Sequence, residues 1–451
     1  MRRLIGFGLL AVSMLATNAC RSTDAAANTL LPCEIALAEH DGNAKLDEEI
    51  RIVQQKIRAR QNNEQALPMI EKLGWSYVEK ARASFDPGYY KLAEQCAACM
   101  EVKQAAIQKQ GTSQPGGDAQ DYQSAKSTKS AALLLRGHVL HSLHRFAEAE
   151  KLARELATTR GMAFDYGLLG DVLMEQGKLD EAIAAYQRMM ELKPSPQAYS
   201  RAAHIHWLKG DLEGARVLMR MSAQGAGAGD AEASAWAWSK LAMYELQAGL
   251  FKQATASCEL AFELQPGYAP ALLAEGRILL AENKFNEAVP LLERAVRQNP
   301  LPEYRWALAD ALRAAGRRDE AQKVEADLTA HGASDDPRSF AVYLATRGEQ
   351  SATALKLTEE ELKNRRDIFT LDALAWAQSV AGNHDQAWQT MQQALAIGAE
   401  DARLFMHAAV IATKSNKPTE ARQFAKRASA IQSTLLPSER DQLNQLRQFK
   451  L

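Results

Sequence analysis

Few residues in the chain have the type and spacing for chemistry. Cys96 and Cys99 stand three apart in AEQCAACM, a spacing open to a redox pair, half of a metal site or plain helix surface. His138, His141 and His144 repeat the same spacing in GHVLHSLHRF, and AHIHW adds His204 and His206. Residues at i and i+3 can offer two ligands from one helix face, but no Cys or carboxylate nearby completes a tetrahedral set. The histidines therefore read as solvated or packing residues, and no metal site is expected. The sequence contains no HExxH, no GxSxG and no phosphate-cradling loop, so metalloprotease, serine-hydrolase and nucleotide chemistry lack their usual motifs. Carboxylates abound, as in EEEL at 359–362, yet a charge run on a helix is ordinarily a solvated face. Neither catalytic residues nor a cofactor are expected, and the chain reads as a non-enzyme.

The elements that would position these residues are helices. The 451 residues are rich in Ala, Leu, Glu, Gln, Lys and Arg, and hardly any stretch alternates as a half-buried strand does. The 54 Lys and Arg balance 55 Asp and Glu, and without a basic run this argues against nucleic acid. At the start, MRRLIGFGLLAVSMLATNAC sets Arg2 and Arg3 before an uncharged run from Leu4 to Ala16. That run is shorter than the roughly 20 residues a spanning helix needs, so residues 1–19 read as an export signal. Export also weighs against nucleic acid as a partner. Ala19-Cys20 resembles the lipobox of bacterial lipoproteins, although Thr17 and Asn18 depart from that pattern. Lipidation of Cys20 is the expectation, cleavage without lipid or a retained anchor the alternatives, and each places the chain outside the cytoplasm, in the periplasm or at the outer membrane.

A repeat accounts for the length. Small residues stand twelve before an alanine at Gly137/Ala149, Gly170/Ala182, Ala203/Ala215, Ala242/Ala254, Gly276/Ala288, Ala309/Ala321, Ala375/Ala387 and Ala409/Ala421. The second alanines advance by 33, 33, 39, 34, 33, 66 and 34 residues, and Ala354 falls at the midpoint of the 66. Five residues before the alanine stands Gly177, Gly210, Gly249, Asn283, Gly316, Gly382 or Asn416, types that accept the left-handed conformation ending a helix. Each unit is therefore helix, turn, helix, with small residues where the two helices cross closely. Pro194, Pro266 and Pro300 stop the second helix of three units.

These residues carry a resemblance to the tetratricopeptide repeat family, closest at 163–194 and 235–300, with similar units over 67–433 and a partial match at 335–366. The resemblance implies an all-α, right-handed superhelical solenoid of about ten helix-turn-helix repeats. It also implies protein binding on a concave face lined by the first helix of each pair. The candidate partner-binding residues on that face are Trp75, His138, His141, Asp171, His204, Trp207, Trp236, Lys240, Arg277, Trp306, Asp310, Arg313 and Trp376. Aromatic and Arg side chains there suit recognition, and packing between repeats is the competing role for each Trp. The family's carboxylate clamp is absent, since the corresponding positions hold Leu134, His138, Gly167, Asp171, Ser200 and His204. The expected role is a scaffold of the bacterial envelope binding a protein segment in the groove. The alternative is a glycan receptor stacking its ligand on Trp207, Trp236, Trp306 and Trp376.

The expected organisation runs from the signal (1–19) through an N-terminal segment (20–45) to a helix with the first repeat-like unit (46–107). In that unit Gly74 and Ala93 stand nineteen apart. A flexible linker (108–129), the first part of the array (130–222), a Gly-rich insertion (223–230), the second part (231–433) and a C-terminal capping helix (434–451) follow. Ala93, Ala97 and Met100 form the buried stripe of the first unit, which puts Cys96 and Cys99 on its outer face. An oxidising compartment favours a bond from Cys33 to Cys96 or Cys99. Free thiols, a local Cys96–Cys99 bond and a zinc set of Cys33, His40, Cys96 and Cys99 are the alternatives.

Overall fold

The computed structural model describes residues 32–60, 64–111, 119–226 and 230–448, among which there is helix and no strand. The expected signal and Cys20 lie outside the described residues. The chain divides into two units, residues up to Gly74 with Leu92–Ala132, and Trp75–Lys91 with Leu133–Leu451.

In the first unit a short helix α1 (residues 32–36) precedes α2 (Lys45–Arg58) and the start of α3 (Leu67–Ser84, up to Gly74). Ile50, Val53 and Ile57 on one face of α2 are buried. His40 Nε2 lies 2.8 Å from Asp47 Oδ1, and Gln54 donates to the Ala38 carbonyl at 2.7 Å, so the link between α1 and α2 is tied down by side chains. Cys33 is bonded to Cys99 in α4 (Gly88–Gly111). The outer-face expectation for Cys96 and Cys99 is corrected: both are buried, at 0% and 1% exposure. Because α1 is fastened to α4, the face left for solvent by the alanine pattern is a second interior face. Cys96 keeps a free thiol, whose ionisation burial disfavours. The zinc alternative is not formed, since Cys33 and Cys99 pair with each other and His40 with Asp47.

The second unit holds the array. Its pairs are α5 (Ala119–Ser142, from Leu133 on) with α6 (Phe146–Thr159), α7 (Ala163–Glu175) with α8 (Leu179–Leu192), and α9 (Pro196–Leu208) with α10 (Leu212–Ala226). Then come α11 (Ala231–Gln247) with α12 (Phe251–Leu264), α13 (Ala269–Ala281) with α14 (Phe285–Gln298), and α15 (Pro302–Ala314) with α16 (Arg318–Asp335). The last are α17 (Pro337–Arg347) with α18 (Ser351–Asn364), α19 (Ile368–Val380) with α20 (His384–Leu395), and α21 (Ala402–Lys414) with α22 (Pro418–Ala430), before a final α23 (Pro437–Gln448). The crossing alanines Ala149, Ala182, Ala215, Ala254, Ala288, Ala321, Ala354, Ala387 and Ala421 are all 0% exposed. A methyl built on Gly170 would stand 2.3 Å from the Tyr186 ring, and one on Gly276 would stand 2.5 Å from Leu292. The turn residues are left-handed as expected, and the two units without a Gly or Asn in register use other means. His144 takes φ 59° in the first, while Gly348 at 68° and Gln350 at 45° serve the Ala354 unit.

The expected linker (108–129) is corrected at both ends, because α4 runs to Gly111 and α5 starts at Ala119. Its Ala, Gln and Lys residues favour helix, and residues 112–118 lie outside the described residues. Likewise α10 extends to Ala226 and α11 starts at Ala231, leaving 227–229 of the Gly-rich insertion outside them. The C-terminal helix caps the array: Leu443 and Leu446 of α23 join Phe405, Met406, Ala409 and Ala428.

Ala182→Leu should overpack its crossing and cost about 1–3 kcal/mol, read as a lowered thermal midpoint; an unchanged melt would remove the crossing assignment. Cys33→Ser should weaken the first unit by about 2–4 kcal/mol. The check is hydrogen exchange, which should rise across α2 while α13 and α15 stay unchanged.

Candidate functional site

The inner face of the second unit is built by the first helix of each pair, and it is not one continuous groove. Chain segments about four and a half to nearly six periods of 34 residues apart are joined across it. Gln247 Nε2 donates to the Glu400 carbonyl, 153 residues on, and Ser433 Oγ donates to the Leu246 carbonyl, 187 residues back, at 2.7 Å. The Arg366 amide donates to the Glu175 carbonyl at 2.8 Å. Successive turns of the superhelix in this unit therefore touch, and the inner face becomes a lumen.

The C-terminal end of that lumen is filled by the chain itself. A 3-10 turn at Gln432–Thr434 contacts α11, α13 and α21, and α23 contacts α15, α21 and α22. Trp306, 2% exposed, donates through Nε1 to Ser438 Oγ at 3.3 Å and lies under Arg403 at 5.1 Å. Asp310 accepts from the Ser438 amide at 2.8 Å and its hydroxyl at 2.6 Å; burial outweighs these bonds and pushes the carboxyl up to about 6. Arg277 donates to Glu303 at 2.6 Å and to the Thr434 carbonyl at 2.7 Å. Glu439 is fully buried against Arg403. Against the penalty of that burial, the guanidinium holds Glu439 below the usual carboxylate range.

Five of the expected partner-binding residues are thereby corrected. Arg277, Trp306 and Asp310 contact the chain's own C-terminal stretch. Trp376 is 3% exposed, stacked on His407 at 4.4 Å with Nε1 bonded to Thr346 at 3.1 Å. Arg313 is paired with Glu325 of α16 at 2.6 Å. Trp207 is a sixth, 7% exposed and bonded through Nε1 to Gln247 at 2.8 Å. Of the four tryptophans in the glycan alternative, only Trp236 is exposed. An aromatic track for a sugar is not formed.

At the opposite end of the inner face Arg82 pairs with Glu232 and Phe85 lies 6.3 Å from Tyr268, yet some aromatic surface stays exposed, and there the remaining candidates come together. Trp75 lies 5.4 Å from His138. His204 stacks on Trp207 at 5.8 Å, and Trp207 stacks in turn on Phe369 at 5.9 Å. Trp236 and Phe369 are 36% and 41% exposed, and Lys240 lies 6.0 Å over the Trp236 ring. Asp171 accepts from Arg201 Nε at 2.7 Å and from the Tyr186 hydroxyl at 2.8 Å. It stays below the usual carboxylate range despite burial, chiefly because of Arg201. Phe369, Arg201 and Arg338 were not among the sequence candidates. Arg338 lies over Phe369 at 5.7 Å, and only the contact between superhelical turns brings these residues to the band.

Three stretches of the chain match models of the tetratricopeptide repeat, at residues 168–231, 245–307 and 302–323. Those stretches carry tetratricopeptide repeats. Among solved structures, the APC/C hetero-tetramer Cut9-Hcn1 is similar at a TM-score of 0.32 and 13% identity, over 94% of this chain and 99% of that one. No curated protein matches the chain.

The histidines of the open band are held neutral. Withdrawal from water pushes His138 down to about 3, with His141 adding to the effect. It pushes His204 down to about 4, with Lys240 adding. A histidine whose folded pKa is depressed stabilises fully above its unfolded value near 6.5, and that contribution is lost as pH falls below it. Stability should therefore drop between pH 7 and pH 5, by about 1 kcal/mol or less per histidine after solvent screening. Denaturant midpoints of wild type and His138→Gln/His204→Gln check this: the double variant should lose less on acidification, and an equal loss would remove the histidines as its source.

Proposed function

We propose that the protein is a non-enzymatic scaffold of the bacterial cell envelope that binds a protein segment at the open end of its lumen. Tetratricopeptide repeats generally mediate protein–protein binding. The observation that carries the reading is the uneven filling of the inner face. One end is filled by the chain's own C-terminal residues, while the other keeps Trp236, Phe369 and Lys240 exposed beside the half-buried His138, His141 and His204. Large aromatic rings beside hydrogen-bonding imidazoles suit a peptide backbone with apolar side chains. The envelope location is supported by the signal-like N-terminus and by the Cys33–Cys99 bond, which suits an oxidising compartment. Lipid on Cys20 would anchor the scaffold at a membrane.

Immobilised wild-type protein should capture a defined partner from envelope extract, and Trp236→Ala/Lys240→Glu should reduce capture at least about tenfold. Both positions are exposed, so the thermal midpoint should not move. The same proteins captured equally by the variant would sink this reading.

A further inference from the structure

Residues 431–442 contact the lumen wall as a bound peptide contacts its groove. Leu435 packs with Phe405 and Met406, while Leu436 joins the core that holds Trp306 and Tyr343. The polar contacts run from the segment to the wall: Thr434 to Arg277, Ser438 to Asp310, Glu439 to Arg403, and Arg440 to the Leu280 carbonyl at 2.6 Å. Asp310 caps the start of α23 from outside, in the place an N-cap side chain usually takes. A permanent core is economically made of apolar side chains, whereas binding sites set a few convergent polar groups in an apolar wall.

We propose that this stretch is a ligand held in cis, seated in a peptide site formed by α13, α15 and α21, and exchangeable for a protein segment of the same chemistry. The proposal rests on the reading that the inner face is the ligand-carrying face. The wall dictates what such a segment carries, because emptying the site takes Ser438 from Asp310, Glu439 from Arg403 and the Thr434 carbonyl from Arg277, which keeps only Glu303. Asp310 needs donors at a helix start, Arg403 a carboxylate one residue later, and Arg277 a carbonyl a few residues earlier. Two adjacent aliphatic side chains must lie between. The occupant is thus an aliphatic pair followed by a helix start with Ser and Glu, as in Thr-Leu-Leu-Pro-Ser-Glu at 434–439. Tethered directly to α22, the cis copy acts at an effective concentration on the order of millimolar, so it screens out weak competitors.

The test uses the full chain and a labelled peptide of residues 430–448. Ser438→Asp in the chain sets a second carboxylate beside Asp310 and should release the cis segment. Fluorescence anisotropy should then show the peptide binding at least about tenfold tighter than to wild type, and a Leu435→Asp/Leu436→Asp peptide should not bind. A folded Ser438→Asp chain that binds the peptide no better than wild type overturns the proposal. Hydrogen exchange on the wild-type chain decides independently of that variant. Residues 432–442 should open at a lower free energy than α13 and α15, and opening only with global unfolding overturns the proposal. Neither measurement contains an envelope partner, so their failure leaves the capture result of the scaffold reading intact.

Discussion

The crossing of two helices over a single methyl group is the contact on which the rest of the array depends. With alanine 0% exposed at nine successive crossings, each pair is set at the same close approach, and bulkier side chains there would force the helices apart. Near-identical pairs stacked with near-identical rotation generate a superhelix. Its turns meet at chemically apt places. The carbonyls of Glu175, Leu246, Leu280 and Thr346 lie in the last turns of α7, α11, α13 and α17, where carbonyls lack their usual helical partner and keep a lone pair for a further donor. They receive the Arg366 amide, Ser433, Arg440 and Gln442. One local packing rule thus leads, through repetition, to long-range bonds that close the lumen.

That order of dependence explains what was legible in the sequence. The crossing alanines and the left-handed turn residues recur every 34 residues or so, and local structure follows from them, even for the irregular Ala354 unit. The filled interior was not legible in the same way. An inner face carrying Trp306 or Trp376 has one pattern whether the lumen is empty or occupied, because the covering residues lie far along the chain, as Ser438 does from Trp306 at a separation of 132. A fainter signal did exist. In α19, IFTLDALAWAQSV is apolar nearly all round, as is PEYRWALADALRA of α15 over Trp306–Leu312, and a helix of that kind is buried on both faces. In α9, PQAYSRAAHIHWL is mixed, and α9 borders the open end.

The cysteines show the same limit at shorter range. The stripe of Ala93, Ala97 and Met100 is buried as expected, but the face opposite it, expected to be outer, is buried too at Cys96 and Cys99. What covers the other side is α1, held there by Cys33, and periodicity within α4 carries no information about a segment 66 residues earlier. The preference for a bond from Cys33 came from compartment chemistry, not from pattern.

The charges of the open band constrain how a partner can be recognised. Asp171 is paired with Arg201, Arg338 with Asp367 at 2.9 Å, and Arg365 with Glu175 at 2.6 Å. The histidines between them are neutral at pH 7, since burial depresses their proton affinity. With these charges paired, exposed Lys240 is the main source of field on this face, so steering contributes modestly to association and salt alters it only weakly. Specificity must then come from area and directed hydrogen bonds. Neutral imidazoles serve that purpose, because each ring offers one donor and one acceptor and can meet a peptide group without the cost of burying a new charge.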